Sequence, residues 1–365
     1  SDYFYDRTGV IFKWNRRKYI FSTGADVQYS KLDGKVAGEQ LSVVQDFWAL
    51  LPSASFNYDF AATNSLSFDY RTNIREPSLE QLQPILDNTN PLSLYVGNPN
   101  LKPEYNHRLN LRYRLFDQFN FRSFFAAINT TYTEDKITNS TTIDSFFVQT
   151  TQPVNVKNDW NTSGYLDFST PLKFIRSKIN LRFNANNNRS SLFLNGIENT
   201  SNRWNTSIDF TIENRKKEIF DVLFGLNWGY NQTTYSESKN FDQQFNTLTY
   251  FTDWTLNLKR NWTIGTSFDY TLYRGEDFTN RRQVPMWNAS VSKPILKSRG
   301  TVEFSVRDLL NQGIGVDRRS TLNYIEDIRI NSLARYFMLT FSYSLTVLGD
   351  QNKGGILIES GRRKR

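Results

Sequence analysis

Few side chains in this sequence of 365 residues are equipped for covalent or metal chemistry. It contains no cysteine, which excludes disulfide scaffolds, cysteine-based zinc sites and thiol nucleophiles. Its single histidine, His107, excludes multi-histidine metal centres and leaves no spare imidazole for a Ser-His relay. Beside Tyr105 and Arg108 at the start of an alternating run, His107 reads as an ordinary solvated rim residue. Asp209 and Glu213 stand four apart, about 13 Å along a strand, too far for paired acid and base action, so they read as solvation of a wet face. The run Asp87, Asn88, Thr89, Asn90 could hold a calcium ion on a long loop, but it lacks the fuller ligand set of a recognised calcium loop. No enzyme, no metal site and no cofactor is expected.

The strongest chemical signal is electrostatic. Arg108, Arg112 and Arg114 share one face of an alternating segment with Asn110, and Leu109, Leu111, Tyr113 and Leu115 take the other. Facing a lumen, such a row would attract anionic solutes or organise bound anions. The plainer alternative, which the sequence favours, is that these arginines pair with carboxylates of neighbouring strands or of a domain filling the lumen. The net charge of +8 would ordinarily raise nucleic acid or an anionic surface as a partner; several short turns, such as Arg215-Lys216-Lys217 and Lys259-Arg260, are basic and read as a solvated rim, and no nucleic acid is expected.

The elements that must carry these residues are strands. Alternation with period two recurs throughout: Tyr19, Phe21, Thr23, Ala25, Val27 and Tyr29 against Ser22, Gly24, Asp26, Gln28 and Ser30; then Phe56, Tyr58 and Phe60; and later Phe220, Val222, Phe224, Leu226, Trp228 and Tyr230. Many such segments run ten to fifteen residues, longer than the strands of a soluble sandwich. No apolar run approaches the roughly 18 residues of a membrane helix. Aromatics make up 15% of the chain in an otherwise polar composition, so many rings must face something other than water. Dyad alternation of this length, aromatic-rich at its ends, predicts an all-β fold: a transmembrane antiparallel up-and-down β-barrel with an apolar face toward lipid and a polar face toward the lumen. Trp228, Tyr230, Trp254, Trp262, Tyr270, Trp287 and Tyr343 read as interfacial girdles. Short polar turns alternate with long insertions at 76–104, 235–244 and 275–285, whose aromatics Tyr95, Tyr235 and Phe241 are the expected ligand contacts. About sixteen strands are predicted, at roughly 22 residues each with connections. The barrel is expected over 1–348, and 349–365 reads as a basic, disordered periplasmic tail ending Arg362, Arg363, Lys364, Arg365.

Val96, Gly97, Asn98, Pro99, Asn100, Leu101, Lys102, Pro103 and Glu104 form a segment similar to the G-N-P-x-L-x-P-E stretch of TonB-dependent outer-membrane receptors. Leu51 to Ser55, Tyr70-Arg71 and the run from Arg75 to Leu82 resemble the strands and R-x-P-S-x-x-x-L loop that precede it there. Val306 to Asn311 and Arg335 to Leu345 resemble the closing strands. The Gly97, Asn98, Pro99, Leu101, Pro103, Glu104 motif identifies the barrel without naming a ligand contact, and its local chemistry is that of a stiff turn leading into a strand.

The resemblance implies the C-terminal part of a 22-stranded barrel, with a plug domain and the first strands on missing sequence or another chain. It also implies uptake of a scarce nutrient (a metal chelate, oligosaccharide or peptide), a TonB-type energy-coupling partner, contact with outer-membrane lipid and lipopolysaccharide, and a surface lipoprotein partner. An unplugged barrel acting as a pore, scaffold or secretion component is the alternative. A soluble sugar-binding β-sandwich or solenoid is a further one, disfavoured by outward aromatic faces.

Overall fold

A computed structural model describes residues 2–35, 42–237, 239–275, 283–296, 299–312, 315–320, 325–330 and 334–344. The expected basic tail and most of the insertion at 275–285 lie outside the described residues. In chain order the strands are β1 (Asp2–Asn15), β2 (Tyr19–Lys35), β3 (Ser42–Ala61) and β4 (Asn64–Arg75), followed by the short helix α1 (Leu79–Leu82). Next come β5 (Leu86–Asn90), β6 (Ser93–Val96), β7 (Glu104–Asp117), β8 (Arg122–Ile143), β9 (Gln149–Leu172), β10 (Ser177–Leu194), β11 (Ile197–Asn214) and β12 (Phe220–Tyr235). The series ends with β13 (Gln243–Asn257), β14 (Thr263–Gly275), β15 (Gln283–Ile295), β16 (Gly300–Arg307), β17 (Gly315–Ser320), β18 (Ile325–Ile330) and β19 (Tyr336–Tyr343).

Seventeen of these strands form one sheet, and β17 and β18 form a separate antiparallel pair. This agrees with the expectation of about sixteen; the seventeen include β5 and β6, a hairpin inside the 76–103 insertion, where Leu86-Asp87-Asn88-Thr89-Asn90 has no alternation to announce a strand. The long registers are antiparallel, as an up-and-down connectivity requires, and the parallel pairings described are short: two residue pairs between β10 and β8 and three between β6 and β9.

The chain divides into two compact units. One comprises Ser1–Ser169, Arg182–Ser207 and Tyr230–Phe245; the other comprises Thr170–Leu181, Ile208–Gly229 and Asn246–Arg365.

In the first unit the register turns the alternation into two faces. Across β3, β4, β7, β8 and β9, one row reads Phe56, Phe68, Leu111, Ile128 and Gly164, and the adjacent row reads Asn57, Ser67, Arg112, Ala127 and Tyr165. Among the described residues nothing covers the apolar face: Val10 is 78% and Trp48 71% exposed. Aromatic rings bound it at two levels. At one level lie Trp14, Tyr19, Tyr58, Phe60, Tyr113, Phe124 and Phe168, in contacts such as Trp14–Tyr19, Tyr58–Phe60 and Tyr113–Phe124. At the other lie Tyr29, Trp48, Tyr70, Tyr132 and Trp160, with the Tyr29–Trp48 centroids 4.8 Å apart and Tyr132–Trp160 4.6 Å apart. Ten residues separate Tyr19 from Tyr29, and ten separate Trp48 from Tyr58. At about 3.3 Å per residue and a tilt near 40°, that is about 25 Å, the height of the apolar band of a membrane barrel.

β8 and β9, at 22 and 24 residues, run far past the second belt. Beyond Tyr132 and Trp160 both faces become predominantly polar, as in Thr138, Asn139, Ser140, Thr141 and Thr142. These extensions form a wall that continues outside the band. A small apolar cluster of Leu32, Leu82 and Leu101, with Leu79 and Ile137 against it, packs there.

In the second unit β14, β15, β16 and β19 are in antiparallel register, and Phe268 pairs with Trp287, Val291 with Phe304, and Phe304 with Leu339 on one face. Gly225 has one specific use: a Cβ there would lie 2.0 Å from Phe251 Cζ, so the absent side chain is the seat of that buried ring.

Candidate functional site: the polar face and its docked insertion

The connection between β4 and β7, residues 76–103, folds back onto the polar face of the wall outside the band. Its first turn is set by Pro77 and Ser78. The Ser78 hydroxyl accepts from Gln81 N at 3.2 Å and the Gln81 side chain accepts from Ser78 N at 2.9 Å, a reciprocal cap that starts α1. The cap orients Leu82 fully into the apolar cluster and Leu79 against Gly34 of β2. Glu76 accepts from Gln28 Nε2 at 3.2 Å, tying the start of the insertion to β2.

The segment from Gly97 to Glu104 is more than the stiff turn its sequence suggests. A Cβ on Gly97 would stand 2.2 Å from the Gln83 carbonyl oxygen and 2.7 Å from that of Glu80, so only glycine lets this strand press on the end of α1. Asn98 donates its amide to Gln81 O at 2.6 Å and its side chain to Pro153 O of β9 at 3.0 Å, while its Oδ1 accepts from Asn100 N at 3.0 Å. The Pro99 carbonyl accepts from Gln45 of β3. Leu101 is buried in the cluster, and Asn155 of β9 clamps Lys102, accepting its amide at 2.9 Å and donating to its carbonyl at 3.0 Å. Past Pro103, the buried Glu104 carboxylate accepts from Lys136 Nζ at 2.8 Å and from Ile137 N at 3.1 Å, with Arg75 3.9 Å away. Gln28, Gln45, Lys136, Pro153 and Asn155 thus receive the insertion. None was singled out from the sequence as a partner, because nothing local marks a strand residue as the partner of a segment 32 to 55 positions away.

Arg108, Arg112 and Arg114 project from the polar face of β7 and are exposed. Arg108 sits directly opposite Arg71 of β4, and the nearby Asp69 carboxylate is taken by Arg71 at 3.1 Å. Among the described residues no carboxylate forms an ion pair with Arg108, Arg112 or Arg114, so the expected pairing with neighbouring strands is not made. The polar face of β4 and β7 therefore keeps an uncompensated cationic row among Ser65, Ser67 and Asn110.

His107 is not a solvated rim residue. Its parity places it on the apolar face, in the second aromatic belt, with its centroid 4.9 Å from that of Tyr105 and 5.7 Å from that of Tyr132. Tyr70 Oη lies 2.8 Å from its Nδ1 and Glu134 Oε1 3.6 Å from its Nε2. This imidazole belongs to an interfacial girdle, where amphipathic rings keep one polar edge wet.

The three loop aromatics separate. Phe241 is 62% exposed. Tyr235 is buried at the end of β12, where its backbone N–H donates to Asp242, and is no open ligand contact. Tyr95 stands in β6, where burial first and the Glu80 carboxylate second push its phenol up. Asp209 accepts from Asn227, and Glu213 pairs with Lys217 at 2.8 Å, so the two carboxylates are used separately. Asp87 and Asn90 accept from Thr89 N at 3.0 Å and Leu92 N at 3.1 Å as turn-forming side chains. No group of three or more metal-ligating side chains occurs among the described residues. At the other end of the chain, Asp308 and Asn311 of the Val306 to Asn311 stretch adopt left-handed backbone (φ 51° and 55°) and build the turn that follows β16.

A two-faced antiparallel sheet with girdles about 25 Å apart defines a membrane-spanning β protein. The chain matches the outer membrane protein beta-barrel family over residues 9–215 and 190–343, nearly its whole length, and belongs to that family. It is a β-barrel protein of the bacterial outer membrane. No curated protein matches it.

Proposed function

We propose that this chain is the barrel wall of a TonB-dependent receptor that takes up a scarce nutrient: a metal chelate, an oligosaccharide or a peptide. The observation that carries the reading is the use made of the Gly97 to Glu104 segment. The stretch similar to the receptor motif is what pins the 76–103 insertion to the wall outside the band. An insertion held in this way gives the mouth a fixed shape, as a gated barrel needs. The uncompensated Arg108, Arg112 and Arg114 then face either an acidic surface of a plug domain or an anionic solute in transit. On this reading transport is conformational, energised through a TonB-type partner, and the wall performs no covalent step. A surface lipoprotein would close the mouth from outside.

The test is a strain lacking the gene, grown on a panel of iron chelates, oligosaccharides and peptides as limiting nutrients. Loss of growth on one class, together with abolition of uptake by a protonophore in the parent strain, is the expected result. Passive sugar flux through the purified full-length protein in liposomes, together with uptake in cells that persists when the gene for the energy-coupling protein is deleted, would replace the receptor with a pore.

A further inference from the structure

The short turns of the second unit carry a charge pattern that turn geometry does not demand. Residues 173–176 read Lys-Phe-Ile-Arg, 215–217 Arg-Lys-Lys and 259–260 Lys-Arg, and Arg299 follows β15. Neighbouring turns are joined side by side: Arg215 N donates to Arg176 O at 2.9 Å, and Asn257 N donates to Ile219 O at 2.7 Å. Lys216 and Lys217 have carboxylate partners in Glu218 and Glu213. Among the described residues Lys173, Arg176, Lys259, Arg260 and Arg299 form no ion pair, and all five are exposed.

Two further features say what this edge meets. First, apolar tips interleave with the cations: Phe174 is 83% exposed and Ile219 66% exposed. The apolar character continues into the lipid-facing side through Trp262, whose ring lies 4.8 Å from Lys293 Nζ. Second, Arg176 and Arg260 hold left-handed backbone (φ 50° and 65°), a conformation that glycine or asparagine adopts at lower cost. Arginine stands where turn chemistry alone would select another residue, which points to a use for its charge.

We propose that this turn edge is a docking surface for anionic phospholipid headgroups of the leaflet at the short-turn end, with Phe174 and Ile219 inserted among the acyl chains. Cations beside buried apolar anchors are the arrangement by which proteins bind an acidic lipid surface. Short turns of outer-membrane barrels face the periplasm, so the leaflet is the phospholipid one. A soluble acidic partner would account for the cations but not for the exposed apolar tips Phe174 and Ile219 among them. The proposal rests on the membrane barrel and not on uptake, so the transport test and the lipid test fail independently.

The experiment is electron spin resonance of the refolded full chain in phosphatidylcholine vesicles containing spin-labelled phosphatidylglycerol or spin-labelled phosphatidylcholine. The expected result is a preference of about threefold or more for phosphatidylglycerol in the motionally restricted population, falling toward one as salt rises. The combined variant Lys173→Gln, Arg176→Asn, Lys259→Gln, Arg260→Asn, Arg299→Gln should remove the preference while the folded band persists on unheated gels. Equal restriction of the two lipids by the native chain, a preference insensitive to salt, or one that survives in the folded variant would each overturn the proposal. The salt series on the native chain decides the matter even if the variant does not fold.

Discussion

Asp87 accepts first the hydroxyl and then the amide of Thr89, and these bonds hold its carboxyl below the usual carboxylate range. The lowered value means that the bonded turn is fully favoured above the ordinary aspartate value of about 4 and is lost as pH falls through the depressed one. Removing the hydroxyl with Thr89→Ala should return Asp87 toward that ordinary value. A carbon-detected NMR titration of the Asp87 carboxyl reads this, and an unchanged midpoint would show that the hydroxyl is not the cause. Arg176 is a second residue with a measurable cost. Its left-handed backbone is disfavoured for an L-residue by about 1 kcal/mol, so Arg176→Asn should raise the refolding free energy by up to about that amount. Equilibrium urea titrations in detergent would detect it, and a loss of stability instead would mean that the side chain makes a bond worth more than the strain.

At the scale of an element, the 76–103 insertion stands on a few contacts of known geometry. Gly97→Ala places a methyl group against two backbone carbonyls that cannot rotate away, and overpacking of this kind costs about 1–3 kcal/mol. Glu104→Gln weakens a charge-assisted bond to Lys136 and should cost about 1.5–3 kcal/mol. Both changes should loosen the insertion while the barrel remains folded. The expected readout is new protease cleavage within 77–100, with unchanged heat-modifiable migration; resistance equal to the native chain would show that the apolar cluster of Leu32, Leu82 and Leu101 holds the insertion unaided. The Gly-Asn-Pro turn was legible in sequence, whereas the Ser78–Gln81 cap emerged with the structure. The docking was not legible either, because Asn155 and Lys136 meet the segment only through the register of β7, β8 and β9.

For the whole molecule, the two faces of the wall should respond oppositely to charge. Leu111 lies between the belts on the apolar face, so Leu111→Lys should destabilise the barrel by about 2–4 kcal/mol in a bilayer. Its neighbour Arg112 points to the polar face, and Arg112→Ser should change stability by no more than about 0.5 kcal/mol. Refolding titrations into lipid vesicles compare the pair. Equal costs would mean that the register places the faces wrongly.

Alternation, with the length of the segments and the aromatics at their ends, determined that this is an all-β membrane protein and which parity of each long strand is apolar; that the rings of Tyr19 and Tyr58 mark an interface came from the structure. A period of two is a local property, and every residue of a strand reports it. Only the tertiary structure decided where the faces change character. Past Tyr132 and Trp160 the strands continue without their apolar face, and the 76–103 insertion turns back to cover the polar one. It moved His107 from an imagined wet rim into an aromatic girdle, because the pairing of β7 begins at Glu104 and so extends the apolar parity of Leu109 and Leu111 back through His107 to Tyr105, beside the rings of neighbouring strands. It also left Arg108, Arg112 and Arg114 without the carboxylates expected beside them, since cross-strand partners are set by register, which no single segment contains.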